Sequence, residues 1–337
     1  MPALYITIQG SRLRVSNDCL VVEAPEAEEI LLKQPLGHVS EVILFGNVGL
    51  TTPAIQKLLS RNIPVTFLNT SGRCYGKLIS HLTPHVSLRK AQYSLCDCPD
   101  FSLDMAKGLV AAKIRHQKVI LQRADQRDPH LDLGDWVTKL DQIEEKISLS
   151  QAINSLRGLE GKAAAVYFQG FRQRLPGGWG FDQRKYRPSP DPINAMLSFG
   201  YTLLTESATS AIRTVGLDPY AGFLHDAVYN RPSLGLDLVE EFRPVVDGMI
   251  LWLVNSQMIT LADFSIQGNQ GRQKQCKMHD RMIKLFLQTY ENRMSKTHHH
   301  PYSGNNYPLR QCLIEQARQI RKRIESKQPG YQPLGFR

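Results

Sequence analysis

The hydrophobic period changes once along this chain of 337 residues, and that change limits the folds open to it. Near the amino terminus Leu4, Ile6 and Ile8 alternate with Tyr5, Thr7 and Gln9, the period-2 mark of a strand with one buried face. Residues 12–15 repeat the alternation, and residues 20–22, 30–32 and 42–45 are further short apolar runs. Thr52, read as an N-cap with Pro53 at the first helical position, opens a short helix through Leu59. Residues 65–68 and 74–79 close the region as strands, with Ser71-Gly72 as a turn between them. Later the period is helical: Val110, Ile114 and Leu121 share a face, as do Met282, Phe286, Tyr290 and Met294, and Leu309, Leu313, Ala317, Ile320 and Ile324. The pattern predicts an α+β protein. A small β-rich domain is expected over residues 1–85, a connector over 86–104 and a larger all-helical domain over 105–337.

Composition narrows the class. The longest uncharged apolar run, residues 249–254, falls far short of the roughly 20 residues that span a bilayer, and the amino terminus carries no secretory pattern. Six cysteines are too sparse for a disulfide framework, and Cys96 and Cys98 lack zinc-site spacing, so a reducing cytoplasm is expected. Charge is less even. Residues 271–337 hold 14 basic and 4 acidic side chains, a net of +10 that equals the net charge of the whole chain. A localised excess of this kind suits either a polyanionic partner or a solvated helix surface. His298-His-His300 is followed by well-patterned sequence and reads as a native loop.

Four short phrases could carry chemistry. Glu160 stands in an apolar helical stretch with Leu159, Ala163, Ala164 and Val166, so its carboxylate is expected to be partly buried. Such a group must be paired, protonated or metal-bound. Tyr167 follows two turns on, along the same face. His225 is expected two turns into a helix begun by Asp218 and Pro219, where, taken alone, it reads first as a satisfied core histidine. Asp237 and Glu240 have the spacing of a capping box, which needs no chemistry, and Pro244 deprives the Glu240 carbonyl of its helical partner. Together, two carboxylates and an imidazole form a donor set that suits Mg²⁺ or Mn²⁺. Neither a P-loop nor a dinucleotide fingerprint is present, so any phosphate in play would belong to nucleic acid. Residues 174–192 interleave Trp179, Phe181 and Tyr186 with Arg184, Lys185 and Arg187 among glycines and prolines. Cations for phosphates and rings for bases are what a nucleic-acid contact loop needs, although such loops also occur as plain surface excursions.

At these phrases the sequence resembles the CRISPR-associated integrase and endonuclease of spacer acquisition, the Cas-one family. The likeness spans nearly the whole chain. It rests on residues 44–53 and 72–76 in the β region, on Leu159-Glu-Gly-Lys-Ala-Ala, on the long phrase over 187–201, and on the phrases carrying His225 and Glu240 in the family's order. Gln316-Ala-Arg318 and Tyr331-Gln-Pro-Leu extend it; Cys96-Asp-Cys98-Pro has no counterpart in the pattern. The resemblance implies metal ligands at Glu160, His225 and Glu240, with Asp237 adjoining. It sets Arg187, Asn194 and Ser198 in a family motif as site support, beside the readings from the residues themselves of Tyr167 as site support and of Arg184, Lys185, Lys277, Arg281, Arg321 and Arg323 as phosphate contacts. It further implies a β domain that forms homodimers, a helical catalytic and DNA-binding domain, and a small ferredoxin-like partner subunit. The implied reaction is transesterification on double-stranded DNA, a spacer precursor joined to a CRISPR repeat, with Mg²⁺ or Mn²⁺ as cofactor and hydrolysis as a second mode. A structure-selective repair nuclease and a catalytically silent nucleic-acid scaffold are the readings that compete with it.

Overall fold

Alternation builds two four-stranded sheets in the amino-terminal part of the protein. The computed structural model describes residues 2–26, 29–80, 85–186, 188–268, 275–328 and 330–335. Its strands there are β1 (Ala3–Ile6), β2 (Arg12–Ser16), β3 (Cys19–Glu23), β4 (Ile30–Pro35), β5 (Glu41–Phe45) and β6 (Gly49–Leu50), then helix α1 (Thr52–Ser60), β7 (Val65–Leu68) and β8 (Cys74–Leu78). One sheet runs β1-β5-β7-β8, with β1, β5 and β7 parallel and β8 antiparallel; the other runs β4-β3-β2-β6. Leu13, Leu20, Val22, Val42, Leu44, Leu58 and Val65 form the core of this unit. Thr51, one residue earlier than expected, caps α1 by accepting from the Ala54 N–H.

The second compact unit, residues 84–282 and 292–337, is predominantly helical. It contains α2 (Val86–Cys96), α3 (Pro99–Arg127), α4 (Gly134–Leu149), α5 (Ile153–Gln173), α6 (Pro192–Thr214) and α7 (Ser233–Asn255). A short ribbon of β9 (Phe264–Gln267) and β10 (Gln275–Met278) follows; after α8 (Asp280–Met294) comes a second ribbon, β11 (Thr297–His299) with β12 (Asn306–Pro308), and then α9 (Leu309–Ser326). Residues 283–291 of α8 group with the β-rich unit. The expected apolar faces of α3, α8 and α9 are buried. Within this unit α3 packs against α4, α5 and α7, and α6 against α7. Among the described residues no helix is long and apolar enough to cross a membrane.

Two expectations change here. The stretch expected as a connector over 86–104 is helix α2 and the start of α3. α2 buries only Leu88 and the polar Gln92, so it carries no apolar stripe for a periodicity reading to find. The histidine run, expected as a loop, supplies β11, and His300 beyond it is buried against Gln316 and Ser303.

α6 ends where the chain must turn left-handed. Gly216 adopts φ +85°, and the Leu217 N–H reaches back to the Ile212 carbonyl at 3.2 Å. A β-carbon there would also lie 2.2 Å from the His85 ring. Gly216→Ala is therefore expected to lower stability by about 1–3 kcal/mol. Urea unfolding checks this: the midpoint should fall with the slope unchanged.

Candidate active site

Three helices meet at one ammonium group. The buried face of α3 runs Met105, Ala106, Leu109, Val110, Lys113, Ile114 and Gln117, so Lys113 lies on the stripe that packs inward. A buried cation needs counter-charge. Its Nζ donates to Glu160 on α5 and, at 2.5 Å, to Glu240 Oε2 on α7. Arg243, one turn further along α7, takes the other Glu240 oxygen through Nε at 3.0 Å and a second nitrogen at 2.9 Å. Burial alone would raise the Glu240 pKa; Arg243 and Lys113 overcome it and bring the carboxyl down to about 2. The two carboxylates differ in access. The Glu160 side chain is 26% exposed and that of Glu240 is 4%, so Glu160 is the one solvent reaches.

His225 reaches this neighbourhood from a loop. Asp218 does not cap a helix; it accepts from the Tyr220 N–H and the Tyr93 hydroxyl, and residues 217–232 remain irregular. Gln92 of α2 holds the loop, donating to the Asp218 and Ala221 carbonyls and accepting from the Asp218 N–H. Asp237 is likewise no N-cap, because α7 begins four residues before it at Ser233. Its fully buried carboxylate accepts from the N–H groups of Phe223, Leu224 and His225 and from His225 Nδ1 at 2.7 Å. A carboxylate can only accept, so Nδ1 donates to Asp237, which in the neutral ring leaves the lone pair on Nε2. Gly222 is required by the same packing, since a β-carbon would meet Asp237 Oδ2 at 2.8 Å.

Behind Glu240 lies a second polar layer. The Arg243 guanidinium sits 4.5 Å from the centroid of the Tyr201 ring, and the Tyr201 hydroxyl donates to Asp247. Tyr167 is fully buried among Phe168 and Phe171, which removes it from any DNA-orienting role; the two-turn spacing carries it along α5 into the core. The Tyr167 hydroxyl faces the Asp247 carboxyl and interacts with it. Asn194 is also buried: it accepts from Arg184 and the Lys185 N–H and donates to Asp191, the N-cap of α6. Ser198 accepts from Arg184 at 3.1 Å.

The loop over 174–192 departs from its expected use. Trp179 and Phe181 are buried, Trp179 edge-on to Phe264 and Phe181 against Phe168 and Phe171, so neither is offered to a base. Arg184 spends its guanidinium on Asn194, Ser198 and the Lys185 carbonyl. Lys185 and Tyr186 are exposed, and Arg187 lies outside the described residues. Lys277 and Arg281 are exposed, Arg281 pairing with Asp263. Arg321 and Arg323 are half-buried, Arg321 pairing with Glu325.

Among the described residues no three His, Cys, Asp or Glu side chains converge closely enough to hold a metal ion as they stand. The chemistry of the set nevertheless fits one. Two carboxylates share a cation, and the nearby imidazole is fixed through Nδ1 by a carboxylate, the outer-shell support usual for a ligating histidine. Lys113, Arg243 and Asp247 went unpredicted. Lys113 had a readable signal, a lysine in register with Leu109, Val110 and Gln117 on an apolar stripe.

The family model for the CRISPR-associated protein Cas1 matches residues 4–292. The chain belongs to the Cas1 family. A CRISPR-associated endonuclease Cas1 from Thermus thermophilus is 33% identical over 334 residues, covering 99% of this chain and 95% of the relative. Among solved structures, a Cas6-RT-Cas1–Cas2 complex matches with TM-score 0.82 and 25% identity, over 99% of this chain and 36% of that one. A casposase bound to integration product shares the fold with TM-score 0.86 and 24% identity, over 97% and 92% of the two chains. The activity that goes with membership is that of a metal-dependent DNA endonuclease and integrase in CRISPR spacer acquisition.

Burial drives the Asp247 carboxyl up from 3.8 to about 6, against the hydrogen bonds from Tyr201 and Tyr167 and the charges of Arg243 and Lys113. The folded protein then holds a proton that the unfolded chain releases between pH 4 and 6, so this group's contribution to stability is lost as pH rises through that window. The loss is on the order of 3 kcal/mol. Asp247→Asn is expected to gain stability relative to the wild type between pH 4 and 6.5, measured by urea unfolding across the range.

Proposed function

We propose that Glu160, His225 and Glu240 are the metal ligands and catalytic centre of a Cas1 integrase, acting on double-stranded DNA with Mg²⁺ or Mn²⁺. One observation carries the reading: an accessible and a buried carboxylate from different helices share one cation beside an imidazole whose Nδ1 is tied to Asp237. A divalent ion held there would polarise the scissile phosphoryl oxygen and stabilise the leaving oxygen. The protein's own groups supply the rest. Asp237 keeps the His225 lone pair on Nε2, Arg243 keeps Glu240 ionised and fixed, and Glu160 receives the substrate at the exposed edge. The attacking group is the 3′-hydroxyl of a captured fragment, directed at the repeat boundary of a CRISPR array, or water when the site acts as a nuclease. One phosphodiester replaces another, so joining needs neither ATP nor a covalent enzyme intermediate. Lys185, Lys277, Arg281, Arg321 and Arg323 track phosphates from the basic part of the unit.

A homodimer through the β-rich unit is favoured by β4. It is an edge strand among those described, and Ile30, Leu31 and Leu32 on it are exposed, a template for a second chain. The Cas6-RT-Cas1–Cas2 complex supports a small Cas2-type partner, the ferredoxin-like subunit expected from the sequence. Free cysteines at all six positions suit the cytoplasm, and Cys96, pushed up to about 12 by burial, is no reactive thiol.

Glu160→Ala is expected to abolish metal-dependent joining of labelled fragments to a plasmid bearing the repeat array, while DNA affinity stays within about threefold. Loss of DNA binding in the same variant would mean a binding role instead. Cleavage of branched DNA without joining, with the small partner present, would favour the repair nuclease.

A further inference from the structure

The acid pair of this protein is already neutralised. Glu160 and Glu240 carry two negative charges, Lys113 and Arg243 two positive ones, and Lys113 and Glu240 are buried. Asp237 adds no free charge for a metal to use, since its oxygens are committed to three backbone N–H groups and to His225 Nδ1. A divalent ion arriving alone would leave a surplus of positive charge in a largely dehydrated place, which is costly. The two resident cations are not equally fixed. Arg243 is held by two nitrogens on one carboxylate oxygen and by the Tyr201 ring. Lys113 has a compact ammonium on a flexible four-carbon stem, bonded to side chains only.

We propose that Lys113 is an exchangeable counter-cation that makes the divalent ion and DNA load together. As a phosphate enters, the Lys113 ammonium releases at least one carboxylate to the ion and turns toward the phosphate, whose negative charge offsets the ion's. Free protein therefore binds the ion weakly and the DNA complex binds it tightly. The inference rests on reading Glu160 and Glu240 as metal ligands, and it adds a role for a residue outside that set. Lys113 is a positioning residue: it prearranges the two carboxylates and then yields them.

The test measures Mn²⁺ binding by the free-ion electron paramagnetic resonance signal. It uses the full chain with and without a duplex carrying 3′ overhangs, at constant ionic strength. Wild-type affinity is expected to rise at least about tenfold when DNA is added, within the usual range of coupling between sites. Lys113→Met should bind Mn²⁺ without DNA at least about tenfold more tightly than wild type, with DNA then adding less than about threefold. Lys113→Arg retains the charge and should retain the DNA dependence. Lys162→Met, which removes a charge from the exposed face of α5, should stay within about twofold of wild type, separating exchange at the acid pair from a general loss of positive charge. Circular dichroism and thermal midpoints confirm that each variant is folded. If Lys113→Met does not fold, the wild type decides: Mn²⁺ affinity independent of DNA overturns the proposal. A folded Lys113→Met with unchanged affinity also overturns it, while leaving the metal site intact. If Glu160→Gln leaves Mn²⁺ affinity in the DNA complex unchanged, the reading of the ligands fails instead.

Discussion

The ammonium of Lys113 is the contact on which the arrangement of the site depends. It stands where α3, α5 and α7 come together and joins Glu160 to Glu240. A lone lysine at that depth would cost several kcal/mol, as would either carboxylate left bare. Lys113 is therefore admissible at that depth only with its acidic partners. Their mutual satisfaction fixes the distance between two helices that no sequence motif brings together. Arg243 extends the set and connects it, through the Tyr201 ring and hydroxyl, to Asp247 on the next turns of α7. Polar groups in this region are thus ordered in a line from the exposed edge at Glu160 to the buried end at Asp247.

A second constraint governs the histidine. The loop over 217–232 has no regular structure to hold it, and side chains from three helices take over much of that task. Gln92 binds its early part, Asp237 its stretch at 223–225, and Arg157 of α5 the Leu224 carbonyl and the Asp226 carboxylate, so side chains of α2, α5 and α7 all hold the loop. Each interaction has a functional consequence. Asp237 sets the tautomer of His225 as well as its place, and Gly222 lets the Asp237 carboxylate come close enough to do so.

How legible this was in the sequence varied with the physics involved. Apolar periodicity reports burial, and it identified most of the amino-terminal strands, the faces of α3, α8 and α9, and the division into a β-rich and a helical part. It missed α2, whose buried contact is an amide rather than an aliphatic stripe. Local capping logic failed at Asp218 and Asp237, where long-range hydrogen bonds outcompeted the helix ends those residues resemble. Rings and cations interleaved over 174–192 looked like a nucleic-acid surface. Packing turned Trp179 and Phe181 inward and committed Arg184 to Asn194 and Ser198. Glu160, Glu240 and His225 were singled out by their phrases, yet the lysine between the two carboxylates was not, because a charge on an apolar stripe shows its meaning only once its partners are in place.

The central claim, that the Lys113-bridged carboxylates and His225 form one cation site, is tested most directly by a crystal structure of the protein with DNA and Mn²⁺, using anomalous scattering. The account predicts an anomalous peak at coordination distance, roughly 2.0–2.3 Å, from oxygens of Glu160 and Glu240 and from His225 Nε2, with the Lys113 ammonium displaced from at least one carboxylate. A peak bound elsewhere, or a Lys113 that still bridges both carboxylates while manganese occupies the complex, would contradict it.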